Sequence, residues 1–190
     1  MRDILRPALT LFLLMSLLLG AAYPALVTGV AQGLFPRQAN GSLIKKDEKV
    51  LGSRLIGQQF SDPKYFWGRL SATPSFAYNA ASSSGSNLSP ANPALIEAAQ
   101  KRMNQFNKAD PKNTNPLPVD LVTSSGSGLD PHLSPAAAAY QVSRGAKARG
   151  RTEDEVRKLV ARYTEPRSLG FLGEERVNVL LLNLALDDKL

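Results

Sequence analysis

From Pro7 to Pro36 the chain reads PALTLFLLMSLLLGAAYPALVTGVAQGLFP and carries no Asp, Glu, Lys, Arg or His. A helix needs about 20 apolar residues to cross a hydrocarbon core roughly 30 Å thick, and residues 8–30 supply them. The leucines at 9, 11, 13, 14, 17, 18, 19 and 26 contribute about −2.5 to −5 kcal/mol towards insertion. Beyond Pro36 the pattern breaks up. Between 37 and 91, short apolar pieces such as 52–57 alternate with turn formers, Asp62-Pro63 among them, which predicts strands and turns rather than helix. Asn92 followed by Pro93 then supplies a cap and a first-turn proline, and Leu95, Ala98, Ala99, Arg102, Met103 and Phe106 follow at helical spacing up to Asp110-Pro111.

The rest of the chain continues this alternation. Val119 to Thr123 reads as a strand. Ser134-Pro135 opens a second helix running to about Arg149, where Arg144, Lys147 and Arg149 suit the dipole and Gly150 is a natural stop. Thr152 and Glu155 form a capping box for a third helix with Val156, Leu159, Val160 and Tyr163 on its apolar face and Pro166 at its end. The run VNVLLLNLAL, 177–186, fits a buried strand or a short helix, and periodicity does not separate the two. The pattern predicts an α+β protein: an anchor helix in residues 1–34, then a domain over 35–190 with about three helices and a small sheet.

A cleaved signal peptide is the rival for the first segment, since Arg2 and Arg6 give a basic start and Gly20-Ala21-Ala22 resembles a cleavage site. Apolar character continues past Ala22 through Val30, longer than a signal core needs, and favours a retained anchor. Within the span, Ala21, Ala25, Gly29 and Gly33 recur every four residues, a stripe of small side chains that lets a second helix approach. Pro24 beside it predicts a kink.

The net charge of +7 divides into +1 for residues 1–36 and +6 for the remainder. These cations are scattered, without a dense tract or a nucleic-acid module, so no nucleic-acid partner is expected. They lie on both sides of the span and leave its orientation open. The chain has no cysteine, which excludes disulfides, zinc ribbons and thiol catalysis. P-loop and nucleophile-elbow motifs are absent, and His132 is the only histidine, expected as a solvated loop residue. No catalytic set and no metal-ligand set is predicted. Ser42 and Lys45 match an SxxK pattern without its companion motifs, so a Ser/Lys hydrolase stands only as an alternative.

Two stretches invite a binding role. Phe60, Tyr65, Phe66, Trp67, Phe76 and Tyr78 crowd into 19 residues, as core, as a membrane-facing belt, as an interface, or as the ligand platform of a stand-alone domain. The Ser-Gly stretch 124–128 reads as a flexible crossing rather than a phosphate cradle, because Asp130 would repel an anion and the next helix starts only at Pro135.

Motifs spread along the whole chain resemble a known family: IGQQF at 56–60, YFWGRLSAT at 65–73, GSNL at 85–88, NPAL at 92–95, LVTSSGSGLDPHLSP at 121–135 and NLALD at 183–187. In this order they are similar to the C subunit of the Kdp potassium-transporting P-type ATPase, with Leu70 where the family usually has proline. The resemblance implies a single-pass accessory subunit of the bacterial inner membrane, with a cytoplasmic N-terminus and an extracytoplasmic main domain. Its implied partners are a potassium-binding A subunit, a P-type ATPase B subunit and a small F subunit. The implied role is noncatalytic, in assembling and stabilising that complex. No covalent cofactor is implied. A family proposal that the subunit raises ATP affinity through a glutamine falls on Gln141. Phe60, Tyr65, Phe66, Trp67 and Arg144 are the expected interface residues.

Overall fold

The computed structural model describes residues 2–189. Met1 and Leu190, the outermost residues of the two expected segments, lie outside the described residues. The chain divides into two compact units, Met1–Leu43 and Ile44–Leu190.

The first unit is helical. Helix α1 (Arg2–Leu17) passes through a π-helical turn (Leu18–Ala22) into α2 (Tyr23–Leu34), and a short α3 (Pro36–Ala39) follows. Proline lacks an N–H, and its ring crowds the carbonyl four residues earlier, here that of Gly20. Just ahead of Pro24 the Tyr23 N–H bonds back to Leu18 O, five residues away, so a widened turn absorbs the proline. At the place of the expected kink the structure has this π turn. The continuous stretch Asp3–Leu34, 32 residues, is long and apolar enough to cross a membrane.

The second unit combines helices with two small sheets, the α+β class its pattern predicts. It opens on a hairpin formed with the boundary strand β1 (Leu43–Lys46), whose partner is β2 (Lys49–Ser53). Then comes a long irregular segment, α4 (Pro93–Ala109), a 3₁₀ turn (Val119–Leu121), β3 (His132–Leu133), α5 (Pro135–Tyr140), α6 (Val142–Arg149) and α7 (Glu153–Arg162). The chain closes with β4 (Thr164–Glu165), β5 (Arg176–Asn178) and α8 (Val179–Leu186). Central β5 pairs antiparallel with both neighbours, Leu133 and Thr164 each opposite Val177. One core gathers Phe66, Trp67 and Phe106 with Leu121, Val142, Val156, Val177 and Leu182; a smaller one joins Ile44, Leu180 and Leu184.

Most expected helix ends are found. Asn92 accepts from Ala94 N at the start of α4, Ser134 from Ala137 N at α5, and the Thr152–Glu155 capping box is complete at α7. Gly150 takes φ 63° and ends α6.

Five expectations change. The strand expected at Val119 to Thr123 is a 3₁₀ turn: it has no neighbouring strand, and Asp120 accepts from Ser134 N at 2.8 Å. The single helix 135–149 is two, because the backbone breaks at Gln141 (φ −92°, ψ −4°). Helix α7 stops at Arg162, before Pro166, since Thr164 enters the sheet and its hydroxyl donates to Val160 O at 2.8 Å. The run 177–186 is both alternatives in turn, strand then helix, with Asn178 capping α8 through Leu181 N. With these changes the expected three helices become five, α4 to α8, among the described residues.

Residues 54–92 contain almost no regular structure, so their polar groups must be satisfied elsewhere. The Ser-Gly stretch does this. Ser125 N–H donates to Leu70 O, Ser84 N–H to Ser127 O, and Ser71 Oγ to Gly128 O at 2.7 Å. Gly128 has φ 69°, and a side chain there would sit 2.5 Å from Ser84 O, so glycine is needed. The stretch is fastened scaffold where a flexible crossing was expected, because each of these bonds joins it to the irregular segment.

Candidate functional site

The first candidate surface is the small-residue face of the N-terminal helix. Ala25, Gly29 and Gly33 lie in α2 at four-residue spacing and share one face. Ala21 lies in the π turn, where the 3.6-residue rhythm that aligned it with them does not hold. Side chains built at Gly29 or Gly33 would meet nothing within 4 Å, and neither residue has a positive φ. Among the described residues nothing requires glycine there.

The second candidate is the aromatic segment 60–69. Two side-chain amides hold two consecutive residues of it. Asn183, on α8, accepts from Phe66 N at 2.8 Å and donates to Phe66 O at 2.9 Å. Gln141, at the α5–α6 break, accepts from Trp67 N at 2.8 Å and donates to Trp67 O at 3.0 Å. Each amide therefore does for one residue what a neighbouring strand would do, which lets an extended segment be buried without a sheet.

Cations complete the fastening. Arg144 donates to Gln141 Oε1 at 2.6 Å, to Tyr65 O at 3.0 Å and to Pro63 O, and stacks 4.2 Å from the Trp67 ring centre. Burial, with the neighbouring Arg102 charge, pulls its pKa down to about 10. It remains a cation at neutral pH, solvated by carbonyls and an aromatic face. Arg149 donates to Lys64 O and Leu186 O and pairs with Asp187 at 2.8 Å. Asp187 in turn accepts from Tyr65 OH at 2.8 Å, and this bond, with burial, pushes the Tyr65 phenol up. Burial opposes ionisation of Asp187, but hydrogen bonds from Arg149, Tyr65 and Lys189 outweigh it and hold the carboxyl below its ordinary value.

This geometry sorts the expected site residues. Phe66, Trp67, Gln141 and Arg144 are 0, 6, 1 and 4% exposed, so they form the interior of the domain rather than an interface. Phe60 and Tyr65 are half-buried, with ring centres 5.1 Å apart, and keep a surface. The Gln141 amide bonds at both its oxygen and its nitrogen, so a nucleotide would have to displace Trp67. Asn183, Arg149 and Asp187 were missed as site residues. Asn183, one of two asparagines in the apolar run 177–186, was the available signal, because a polar group there demands a partner.

Two remaining candidates also change. His132 stands in β3 with Nδ1 3.3 Å from Asp130, a side chain 25% exposed rather than a solvated loop residue. Ser42 is buried and Lys45 exposed, and the residues after Ser42 form an extended strand. Residues three apart on a strand face opposite ways, unlike the helical arrangement in which such a pair can meet. Among the described residues no group of acidic, histidine or cysteine side chains is arranged to hold a metal ion.

A family model described as "KdpC: K+-transporting ATPase, c chain" matches residues 5–188. A potassium-transporting ATPase KdpC subunit of Methylococcus capsulatus is 64% identical over 182 residues, 96% of each chain. The KdpC subunit of Sorangium cellulosum is 61% identical over 183 residues, again 96% of each chain. That of Herpetosiphon aurantiacus is 60% identical over 187 residues, 98% of this chain and 97% of the relative.

Proposed function

Because this chain belongs to the C-chain family of K+-transporting ATPases, and is thereby a component of a potassium-transport complex, we propose that it is an accessory, noncatalytic subunit that stabilises assembly of that complex. The observation that carries this reading is the face Ala25–Gly29–Gly33, small and unneeded by the chain itself. Packing is the main source of helix association in lipid, so such a face is where a neighbouring span would dock. The partners in this reading are the potassium-binding A subunit, the ATPase B subunit and the small F subunit. Residues 8–30 span the membrane, and the domain 35–190 lies on its extracytoplasmic side.

Gln141 has a structural part in this reading. Its hold on Trp67 supports a contribution to ATP affinity only through the fold of the subunit, without direct contact.

The test replaces Ala25 and Gly29 with leucine, singly, and measures co-purification of the chain with the large membrane subunits. The expected result is loss of most of the co-purifying chain in each variant at unchanged expression. Full recovery of the complex from both variants would remove the docking role of the span.

A further inference from the structure

Beside the buried face of Trp67 lies a cavity of about 500 Å³, within the range that holds small organic ligands. Its walls come from the aromatic segment and from α4. Arg102, Gln105 and Lys108 project into it from one face of that helix, at i, i+3 spacing. Phe60, Trp67 and Tyr78 supply the apolar wall. Among the described residues no carboxylate lines it, although three cations do, Arg69 being the third.

Among the described residues neither Arg102 nor Lys108 has a salt-bridge partner, and of the three cations only Arg69 does. Arg69 shares its charge with Asp130 at 3.2 Å, yet its Nε is buried without a hydrogen-bond partner. Arg102 has no carboxylate partner among the described residues. Its Nε donates to Leu121 O at 3.2 Å, and its terminal nitrogens donate to Gly68 O at 2.8 Å and Gln105 Oε1 at 3.3 Å. A guanidinium has five N–H groups, so Arg102 keeps two uncommitted. Its plane stacks on Trp67 and Phe106, 5.4 and 4.8 Å from their centres, which holds it in place. Burial lowers its pKa and pushes the Tyr78 phenol up to about 12, so Tyr78 stays neutral and adds no negative charge.

A preorganised cation beside an aromatic wall, in a space without acids, is complementary to an anion with a flat or apolar body. We propose that this cavity binds a carboxylate carried on an apolar stem, with the carboxylate against Arg102 and Lys108 and the stem against Trp67 and Phe60. The carboxylate belongs either to a free organic acid or to an acidic side chain of a neighbouring subunit. The inference goes beyond the subunit reading, and binding by the isolated chain stands or falls without it.

Trp67 is the only tryptophan of the chain, so its fluorescence reports on the cavity directly. The full chain in detergent is titrated with 4-fluorobenzoate and, separately, with neutral 4-fluorobenzamide. The expected result is a saturable change with the acid and at least tenfold weaker binding of the amide. Lys108 is exposed, so Lys108→Glu leaves the fold intact, and it should abolish the change; Arg102→Lys should weaken it severalfold. No saturable change with the acid, equal binding of the amide, or undiminished binding by Lys108→Glu would each overturn the proposal. Fluorine NMR on the assembled complex separates the sources. Retained binding of 4-fluorobenzoate identifies a free acid, and binding seen only after the chain is released identifies a neighbouring subunit's side chain.

Discussion

At the residue scale, the buried polar groups carry the most consequence. Gln141 and Asn183 each bond to both the N–H and the C=O of a single residue, and Phe66 and Trp67 are consecutive. Removing either amide orphans two peptide groups in the core, at about 1–3 kcal/mol for each unsatisfied group. Volume is a smaller matter at Gln141. Gln141→Leu, which fills the space, should therefore destabilise the chain about as much as Gln141→Ala, by roughly 2–6 kcal/mol in chemical denaturation. A leucine variant as stable as the native chain would contradict this role of the Gln141 amide. An ATP analogue that crosslinks at Gln141 would contradict the indirect role given to it.

At the element scale, the N-terminal helix and the domain helices obey different constraints. The caps at Asn92, Ser134 and Thr152 are local: each uses a side chain to satisfy N–H groups in its own first turn, so the sequence shows them directly. The face of α2 is also readable from spacing, and no contact made by the described residues accounts for it. If packing against a neighbouring helix explains it, the loss of co-purification should grow with size. Gly29→Ala adds one methyl and should weaken assembly less than Gly29→Leu. Equal effects from both would point to the backbone of the helix rather than to contact across its face. The break at Gln141 is different again, since nothing in Ala138 to Val142 marks it; the helix opens where the glutamine turns to Trp67.

For the whole molecule, charge pairs tie the ends of the second unit together. Burial opposes ionisation of Asp130, Glu165 and Asp187, but hydrogen bonds and nearby cations outweigh it, from His132 and Arg69, from Arg54 and Arg176, and from Arg149 respectively. Each folded value lies below the unfolded one. The folded state thus holds fewer protons in that interval, and stability rises with pH there. The contribution is complete above the ordinary carboxylate range, about 4, and is lost as pH falls through the lower folded values. The melting temperature should fall as pH drops below the ordinary carboxylate value, about 4, with a shallower fall in Asp187→Asn. A melting temperature unchanged across that interval would refute the assignment. Orientation is tested at this scale too. In sealed inside-out vesicles the domain 35–190 should resist added protease and become sensitive once the vesicles are opened; digestion in the sealed vesicles would place it on the cytoplasmic side.

The sequence by itself determined whatever depends on neighbours along the chain: the apolar span, the small-residue face, the helix caps, the left-handed stop at Gly150 and the α+β class. Hydrophobic run length, helical periodicity and first-turn hydrogen bonds are all set within a few residues. Tertiary structure alone decided that Trp67, Phe66 and Arg144 turn inward, and that the Ser-Gly stretch is fastened to the segment 70–84. It also decided that Val119 to Thr123 has no strand to pair with. For the inward-turning residues and the Ser-Gly stretch the deciding partner lies far away in sequence, up to 117 residues for Asn183 and Phe66. Whether a polar group is satisfied depends on what the fold brings opposite it, and no local pattern records that.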